Sequence, residues 1–179
     1  MNLQTDPSIV ARLAAEREDE NWRFRSFLKG IDLEVEQLDA IVHKHYKTVS
    51  RQIDCCACGN CCHEVLPLLN ASDITRLASG LNVSEAEVFD RVLVQGEEQA
   101  TFTFEKKPCP FLSGNRCAVY EFRPNDCRSF PHLHKHDFVF RLIQAVNNCS
   151  ICPIVFNVFE RLKEELWHTP KELWDVEWE

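Results

Sequence analysis

Apolar residues recur at helical spacing over the first third of the chain. They predict one helix over residues 7–29, capped by Asp6 and ended by Gly30, with a polar centre that keeps its middle on the surface. A second helix is predicted from Asp32, as its cap, to about Ile53. Its apolar stripe consists of Val35, Leu38, Val42, Tyr46 and Val49. We expect the two segments to form an antiparallel helical pair.

The centre of the chain carries shorter patterns that predict two small helices. One spans residues 72–79 and the other spans 85–94. Ser84 and Glu87 have the spacing of a capping box at the start of the second helix. Gly80 is expected to separate the two.

Beyond these helices the pattern changes to that of short strands and loops. Threonine and phenylalanine alternate over 101–104, which predicts a short strand. Residues 109–120 predict a β-hairpin that turns at 113–115, where the sequence is Ser-Gly-Asn. Two prolines and several polar residues make 123–136 a loop or a single turn.

A last helix is predicted from near Pro153 to about His168, and the tail that follows carries Trp174 and Trp178, which we expect to dock on the body. The fold class predicted from all these patterns is mainly α with a small α+β element. A helical N-terminal pair, a short β-hairpin and loops would surround a cysteine metal centre, with a C-terminal helix behind.

Length and composition indicate one domain over residues 1–179. Within it we distinguish a helical N-terminal extension (1–53), a cysteine-rich region (55–153) and a C-terminal helix with its tail (154–179). No linker or repeat divides the chain.

Charge and hydropathy exclude several classes of partner. A net charge of −8 argues against nonspecific nucleic-acid binding, which needs clustered Lys and Arg. No apolar run approaches the length of a membrane span, and the first residues lack the pattern of a signal peptide. We therefore expect a cytoplasmic protein. In that reducing compartment, clustered cysteines bind metals more often than they form disulfides.

Cysteine is the residue type that carries the chemistry of this chain. Ten cysteines occur among 179 residues, and five of them fall between positions 55 and 62. The candidate ligands are Cys55, Cys58, Cys61, Cys62, Cys109, Cys117, Cys127, Cys149 and Cys152. Crowded thiolates repel one another, and a shared cation removes that repulsion. We expect residues 55–62 to form a loop that turns its sulfur atoms inward.

The number of thiols exceeds what one site requires. A tetrahedral zinc ion takes four ligands, and a cubane iron–sulfur cluster also takes four cysteines. Either two metals are bound or several cysteines are spare. Cys56 fits a supporting role as well as it fits ligation, and Cys61 and Cys62 are adjacent, so that their side chains diverge. Arg123 and Arg128 would offset the surplus negative charge of a thiolate site.

Four histidines are further candidate ligands. His63 lies beside the cysteine cluster, and His132, His134 and His136 alternate along a segment whose extended form would place them on one face. For each of them, an exposed or hydrogen-bonded role is the more common alternative to ligation.

Taken together, these motifs resemble one known family. The sequence has Cys55-x2-Cys58-x2-Cys61-Cys62, then Cys109-Pro-Phe-Leu, and then Cys117-x2-Tyr-x2-Arg-Pro-x2-Cys127-Arg. This combination resembles the YkgJ-type cysteine-cluster family, called CxxCxxCC, a zinc- or iron-chelating domain. The resemblance covers roughly residues 55–153 and implies that the candidate cysteines hold the metal, with Cys149 or Cys152 completing the set. Cys56 and the N-terminal extension are additions to the family pattern.

Three functional hypotheses follow. The first is a metal-binding protein that holds zinc or iron through clustered thiolates, with the metal mainly structural or involved in metal handling. The second is a component of a redox or protein-modification enzyme that carries an iron–sulfur cluster, such as [4Fe-4S]. The third is a disulfide-based redox protein. The sequence contains no hydrolase, phosphate-loop or dinucleotide motif, so whether the protein is an enzyme stays open, as does its protein partner.

Overall fold

The computed structural model describes residues 3–96 and 100–168. It divides the chain into two compact units. The helical unit takes residues up to Asp54 and from Pro131 onward, and the cysteine unit is Cys55–Phe130. The predicted fold class is confirmed, since helices predominate and the strands form two small antiparallel sheets.

Helices account for most of the secondary structure in the described residues. In chain order they are α1 (Pro7–Glu16), α2 (Glu18–Lys29), α3 (Val35–Ser50), α4 (Cys55–Cys58), α5 (Asn60–Glu64), α6 (Ala71–Leu81), α7 (Glu85–Val92), α8 (Asn125–Ser129), α9 (Leu142–Cys149) and α10 (Pro153–Leu166). The strands are β1 (Leu93–Gln95), β2 (Phe102–Phe104), β3 (Leu112–Ser113) and β4 (Arg116–Cys117). Two 3-10 helices cover Tyr120–Phe122 and Phe138–Arg141.

The predicted first helix is two helices. Asp6 caps α1 by accepting hydrogen bonds from the backbone amides of Ser8 and Ile9, and Gly30 ends α2, as expected. The chain breaks at Arg17, which leaves helical geometry with φ −110° and ψ 17°. Its guanidinium forms an ion pair with Glu160 of α10. The break thus coincides with a contact between residues far apart in the chain, which the local sequence pattern does not reveal.

The second helix begins later and ends earlier than predicted. Glu34 and Gln37 form the capping box that starts α3, so the expected cap at Asp32 is wrong. Three of the five residues of the predicted apolar stripe, Leu38, Val42 and Val49, are buried. This face of α3 packs against α10.

The C-terminal part of the helical unit contains one predicted helix and one that was not predicted. The last helix begins at Pro153 as expected and buries most of its residues. It is preceded by α9, which the apolar pattern did not predict and which packs against both α2 and α10. Trp174 and Trp178 lie outside the described residues.

In the described ranges, no single helix is both long and apolar enough to cross a membrane. One bent pair, Phe138–Cys149 with Pro153–Leu166, meets the length and composition test together, across an angle of 119°.

Residues 55–62 of the cysteine unit are helical rather than a loop. They form α4 and the start of α5, with Gly59 between them in the left-handed conformation at φ 60°. The expected loop is therefore wrong, because a helical turn already brings residues three apart to one side.

The helices α6 and α7 were predicted with one error. Ser84 and Glu87 make both hydrogen bonds of the predicted capping box. Gly80 lies inside α6 instead of separating the helices, and Asn82, in the left-handed conformation, ends α6. A Cβ at position 80 would stand 2.1 Å from the ring of Phe122, so any larger residue there would displace that ring.

Both small sheets of the cysteine unit are antiparallel. The predicted strand at 101–104 is present as β2, but its partner β1 was not predicted. The predicted hairpin is confirmed, with β3 and β4 joined around Gly114 at φ 59°. The predicted single turn within 123–136 corresponds to α8. The buried core under these elements consists of Leu69, Ile74, Leu77, Ala78, Val88, Leu93, Phe104 and Val119.

Candidate metal centre

Seven of the ten cysteines line one cavity in the cysteine unit. The cavity has a volume of about 410 Å³. Its cysteines are Cys55, Cys56, Cys61, Cys62, Cys109, Cys117 and Cys127. The remaining lining is largely apolar and aromatic, with arginines at positions 116, 123 and 128 and the carboxylate of Asp126. Cysteines from separate elements of the unit thus line the same cavity.

Four of these cysteines form a mutually interacting group, which we call the four-thiol set: Cys62, Cys109, Cys117 and Cys127. Charge on Cys62 or Cys117 raises the pKa of Cys109, and charge on Cys62 raises the pKa of Cys117. Charge on each of the other three raises the pKa of Cys127. All six pairs are therefore within electrostatic range of one another.

Backbone hydrogen bonds hold the set in place. The amide of Cys109 donates to the carbonyl oxygen of Cys62 at 2.8 Å, which joins α5 directly to the segment before β3. The amides of Phe111 and Val119 donate to the sulfur atoms of Cys109 and Cys117, and these bonds lower the pKa of each thiol. An N–H group two residues after a cysteine thus favours the ionised form that a metal needs.

Burial dominates the acid–base behaviour of the set. It raises the pKa of Cys109 to about 11 and that of Cys127 to about 12. It also raises the pKa of Cys117. A hydrogen bond from Cys61 has the opposite effect on Cys62 and lowers its pKa to about 7. Without a cation, three of the four sulfur atoms are thus held as neutral thiols, because buried thiolates repel one another and lose their hydration.

The turn between α4 and α5 places the first cysteines against the hairpin. The side-chain amide of Asn115 donates to the carbonyl oxygen of Ala57 at 3.3 Å. Cys55 and Cys56 are exposed, whereas Cys58 and Cys61 are partly buried. Cys58 is not among the residues that line the cavity.

Cys56 lies beside an aromatic–cation pair at the edge of the cavity. Tyr120 is hydrogen-bonded to it through the phenol group, which raises the pKa of Tyr120. The guanidinium carbon of Arg123 stands 3.6 Å from the centre of the Tyr120 ring. Charge on Cys56 also raises the pKa of Cys117.

A buried carboxylate anchors the segment that carries Cys127. Asp73 is 2% exposed and accepts a hydrogen bond of 2.9 Å from the backbone amide of Asn125. It also forms an ion pair with Arg76, whose guanidinium donates to the carbonyl oxygen of Arg123 at 3.2 Å. Helix α6 therefore fixes the start of α8.

The last two predicted ligands belong to the helical unit. Cys149 is the final residue of α9 and Cys152 caps α10, and their exposures are only 1% and 7%. Burial strongly raises the pKa of Cys149.

The histidines are divided between the units. His63 is exposed on α5 of the cysteine unit, and the alternating trio lies in the helical unit. Of that trio, His132 is buried and His134 and His136 are exposed. The Nδ1 atom of His136 lies 3.5 Å from the carboxylate of Asp39.

A family model matches residues 54–153, which is more than half of the chain, and its description reads "CxxCxxCC: Putative zinc- or iron-chelating domain". The chain belongs to the CxxCxxCC family. The predicted family is thereby confirmed, and the assignment supports metal binding in general. Comparison with curated proteins and comparison with solved structures each gave no match.

The CxxCxxCC region includes the whole cysteine unit and extends through Cys149 and Cys152 of the helical unit. Thiolates are the ligands that zinc and iron–sulfur centres prefer, so the donor set fits the metals of the family description. Across residues 3–96 and 100–168, no three Cys, His, Asp or Glu side chains are already arranged as a metal site. The sulfur atoms of the four-thiol set would have to draw together around an ion.

Several residues that shape this centre were not found from the sequence. Asp73, Arg76 and Asn115 act through backbone groups far away in the chain. Asn70 and Asp73 are spaced three apart before an apolar run, and this capping signal marks the start of α6. It gives no indication that the same carboxylate also holds α8.

Proposed function

We propose that this protein binds zinc or iron through the four-thiol set, and that the metal holds the cysteine unit together. The supporting observation is the convergence of Cys62, Cys109, Cys117 and Cys127, in which each pair of thiols interacts. Four thiolates satisfy one tetrahedral ion. They come from α5, the segment before β3, β4 and α8, so a bound ion would cross-link four parts of the unit.

Electrostatics support a cation at this position. Four thiolates and one divalent ion leave a charge of about −2 in a partly buried site. Arg123 and Arg128 line the same cavity and offset part of that charge. The backbone donors at Phe111 and Val119 stabilise two of the sulfur atoms in their ionised form. When bound, the metal supplies the compensating positive charge that the buried thiols lack.

The energy of such a site is comparable to the stability of the whole domain. Structural thiolate zinc sites contribute roughly 10–16 kcal/mol at neutral pH, and domains are stable by about 5–15 kcal/mol. Loss of the metal is therefore expected to loosen most of Cys55–Phe130.

The other cysteines are proposed to play graded roles. Cys55, Cys58 and Cys61 supply the remaining sulfur atoms of the family motif and are candidates for a second ion or for exchange with the set. Cys149 and Cys152 stay candidate ligands, as the family resemblance implies, but they belong to the helical unit and lie outside the four-thiol set. Cys56 is proposed to support the site through Tyr120 rather than to bind the ion.

The size of the cavity favours a second candidate, an iron–sulfur protein with a redox or protein-modification role. Seven cysteines line about 410 Å³, which is far more space than one tetrahedral ion fills. A four-iron cluster also takes four cysteine ligands, and the four-thiol set matches that number.

One purification distinguishes the two candidates. The full chain is prepared without chelators and without oxygen, and its metals, acid-labile sulfide and visible spectrum are measured. One zinc per chain, no sulfide and no colour support the structural metal site. About four irons and four sulfides with a brown absorption band support the cluster. Folded protein that contains neither zinc nor iron overturns both. A reducing cytoplasm is the compartment that we propose, because either centre needs thiols rather than disulfides.

A further inference from the structure

A second cavity lies in the helical unit, and none of its lining residues is a cysteine. It has a volume of about 330 Å³ and lies where the end of α1, the start of α2 and the end of α9 meet. Its lining consists of Ala14, Ala15, Glu18, Asn21, Trp22, Val146, Asn147 and Ser150. The volume is within the range of small-molecule sites.

One lining residue has a hydrogen-bond acceptor that receives no hydrogen bond. Asn21 is only 2% exposed, and its side-chain oxygen Oδ1 is buried without a hydrogen-bond partner. A buried acceptor of this kind destabilises the fold unless a donor reaches it. The terminal torsion of asparagine is soft, so a small rotation turns the amide toward a donor in the cavity. The donor that is missing from the protein can be supplied by a ligand.

The charges around Asn21 favour a cation. Glu18 contributes a carboxylate, and no basic side chain is among the described residues that line the cavity. The cavity lies beside the C-terminal ends of α1 and α9, where helix carbonyls carry partial negative charge. The N-terminal end of α2 also lies at the cavity and carries partial positive charge. Glu18, in the first turn of α2, offsets that charge.

The walls determine what the cation is attached to. Ala14, Ala15 and Val146 present small apolar side chains, which suit an alkyl chain. Trp22 is 38% exposed and offers an aromatic face, the best protein partner for a cation–π contact. We infer that this cavity binds an alkylammonium group, which would donate to Asn21 Oδ1, pair with Glu18 and lie against Trp22. A free aliphatic amine and a lysine side chain of a peptide share this chemistry.

Binding is measured with two probes on the full chain as purified without chelators. The probes are 1,5-diaminopentane and Nα-acetyl-lysine N-methylamide, and pentanoate and 1-pentanol serve as chain-matched controls without the cation. The assigned indole resonance of Trp22 reports binding. We expect at least one ammonium probe to shift it saturably and neither control to do so. Saturation by the diamine points to a free amine as the ligand, and saturation by the lysine probe alone points to a peptide side chain.

Two substitutions at one position test the role of the acceptor. Asn21→Leu should weaken binding about tenfold, the loss of about one hydrogen bond, while it leaves thermal unfolding unchanged or at a higher temperature. Asn21→Asp keeps an acceptor and adds charge, so it should bind at least as tightly as the native chain. Glu18→Gln should weaken binding of the ammonium probe severalfold. The affinity of this variant should also depend less on salt concentration than that of the native chain.

The inference is overturned if neither ammonium probe binds at millimolar concentration, if pentanoate binds equally well, or if Asn21→Leu retains full affinity. Metal content is measured on the same samples. Failure of the amine site therefore leaves the proposed metal centre untouched, because the two sites share no residue.

Discussion

The carbonyl oxygen of Asn115 stands 2.6 Å from the place where a Cβ on Gly59 would be. Gly59 separates the two helical turns that carry the cysteine motif, and Asn115 is at the tip of the hairpin. The close approach seats the hairpin against the motif, and it exists only because residue 59 has no side chain.

Gly59→Ala should therefore damage both folding and metal binding. The left-handed backbone costs an alanine about 1 kcal/mol, and the clash with backbone atoms adds to that. We expect a total loss of about 2–4 kcal/mol in the free energy of unfolding, together with weaker metal binding. Chemical denaturation and a competitive chelator titration measure the two effects.

Gly114→Ala is the matched control for that substitution. Gly114 has nearly the same φ, 59°, but nothing lies within 4 Å of a Cβ built on it. Only the backbone cost of about 1 kcal/mol is expected, with metal affinity preserved. Equal losses at both glycines would show that the contact with Asn115 has no role.

Serine substitutions separate ligands from supporting cysteines. Cys127→Ser should lose the metal and stability together, because Cys127 interacts with the other three members of the four-thiol set. Cys58→Ser should cost less metal than Cys127→Ser, because Cys58 does not line the cavity and is outside the four-thiol set. Cys56→Ser should do much less. Metal content and thermal unfolding of the three variants are the measurements, and equal damage in all three would contradict the supporting role of Cys56.

Metal affinity should rise steeply with pH. Burial raises the pKa of Cys109 to about 11 and that of Cys127 to about 12, from an ordinary value of 9.0, and raises the pKa of Cys117 as well. Metal binding near pH 8 then releases three protons, so the apparent association constant should rise about 1,000-fold per pH unit. Below about pH 7, Cys62 adds a fourth proton, since its pKa is lowered to that value.

In the metal-free protein, by contrast, these thiols make the free energy of unfolding fall as the pH rises. Their folded pKa values lie above the unfolded value of 9.0, so their stabilising contribution is present below pH 9 and is lost as the pH rises toward 11 or 12. Chelator competition across pH and denaturation of the metal-free chain measure the two trends. A slope near zero in the native chain would contradict the proposed ligands.

Asp73→Asn should release α8. The carboxylate is 2% exposed, pairs with Arg76 and accepts the amide of Asn125. Replacing it leaves Arg76 without its counter-ion, which should cost about 2–3 kcal/mol and weaken metal binding through Cys127. Chemical denaturation and chelator competition measure the two losses.

Arg91→Ala is the control, because it removes an acid–arginine pair of the same unit that is largely exposed, with side-chain exposures of 64% and 46%. About 0.5 kcal/mol or less is expected there, with no change in metal affinity. If Asp73→Asn behaves like Arg91→Ala, the carboxylate does not anchor α8.

Local signals in the sequence predicted those parts of the fold that local interactions determine. Asp6, the pair Ser84 and Glu87, and Pro153 each begin a helix through interactions within one turn, and all were predicted correctly. The break at Arg17 was missed, since its partner Glu160 is distant in sequence. Strand β1 was missed because its first two residues, Leu93 and Val94, continue the apolar pattern of α7.

The cysteines of the candidate metal centre were identified from the sequence, but their arrangement was not. Cysteine spacing identified the ligand candidates, and the family assignment agrees with the metal chemistry. Spacing did not show that Cys62 is the member of the first motif that joins Cys109, because their contact is a backbone hydrogen bond between segments. Nor did it reveal the helical turns at 55–64, since the prediction of a loop ignored the periodicity of a helix.

The order of the four thiols along the chain has a consequence for biosynthesis. Cys62 emerges from the ribosome well before Cys127, and between them the chain must produce α6, α7 and both small sheets. A nascent protein therefore exposes an incomplete set of sulfur ligands until most of its length has been made. With the four-thiol set as the proposed ligands, metal loading would come late, because a chain interrupted before position 127 lacks the sulfur atom that completes the set.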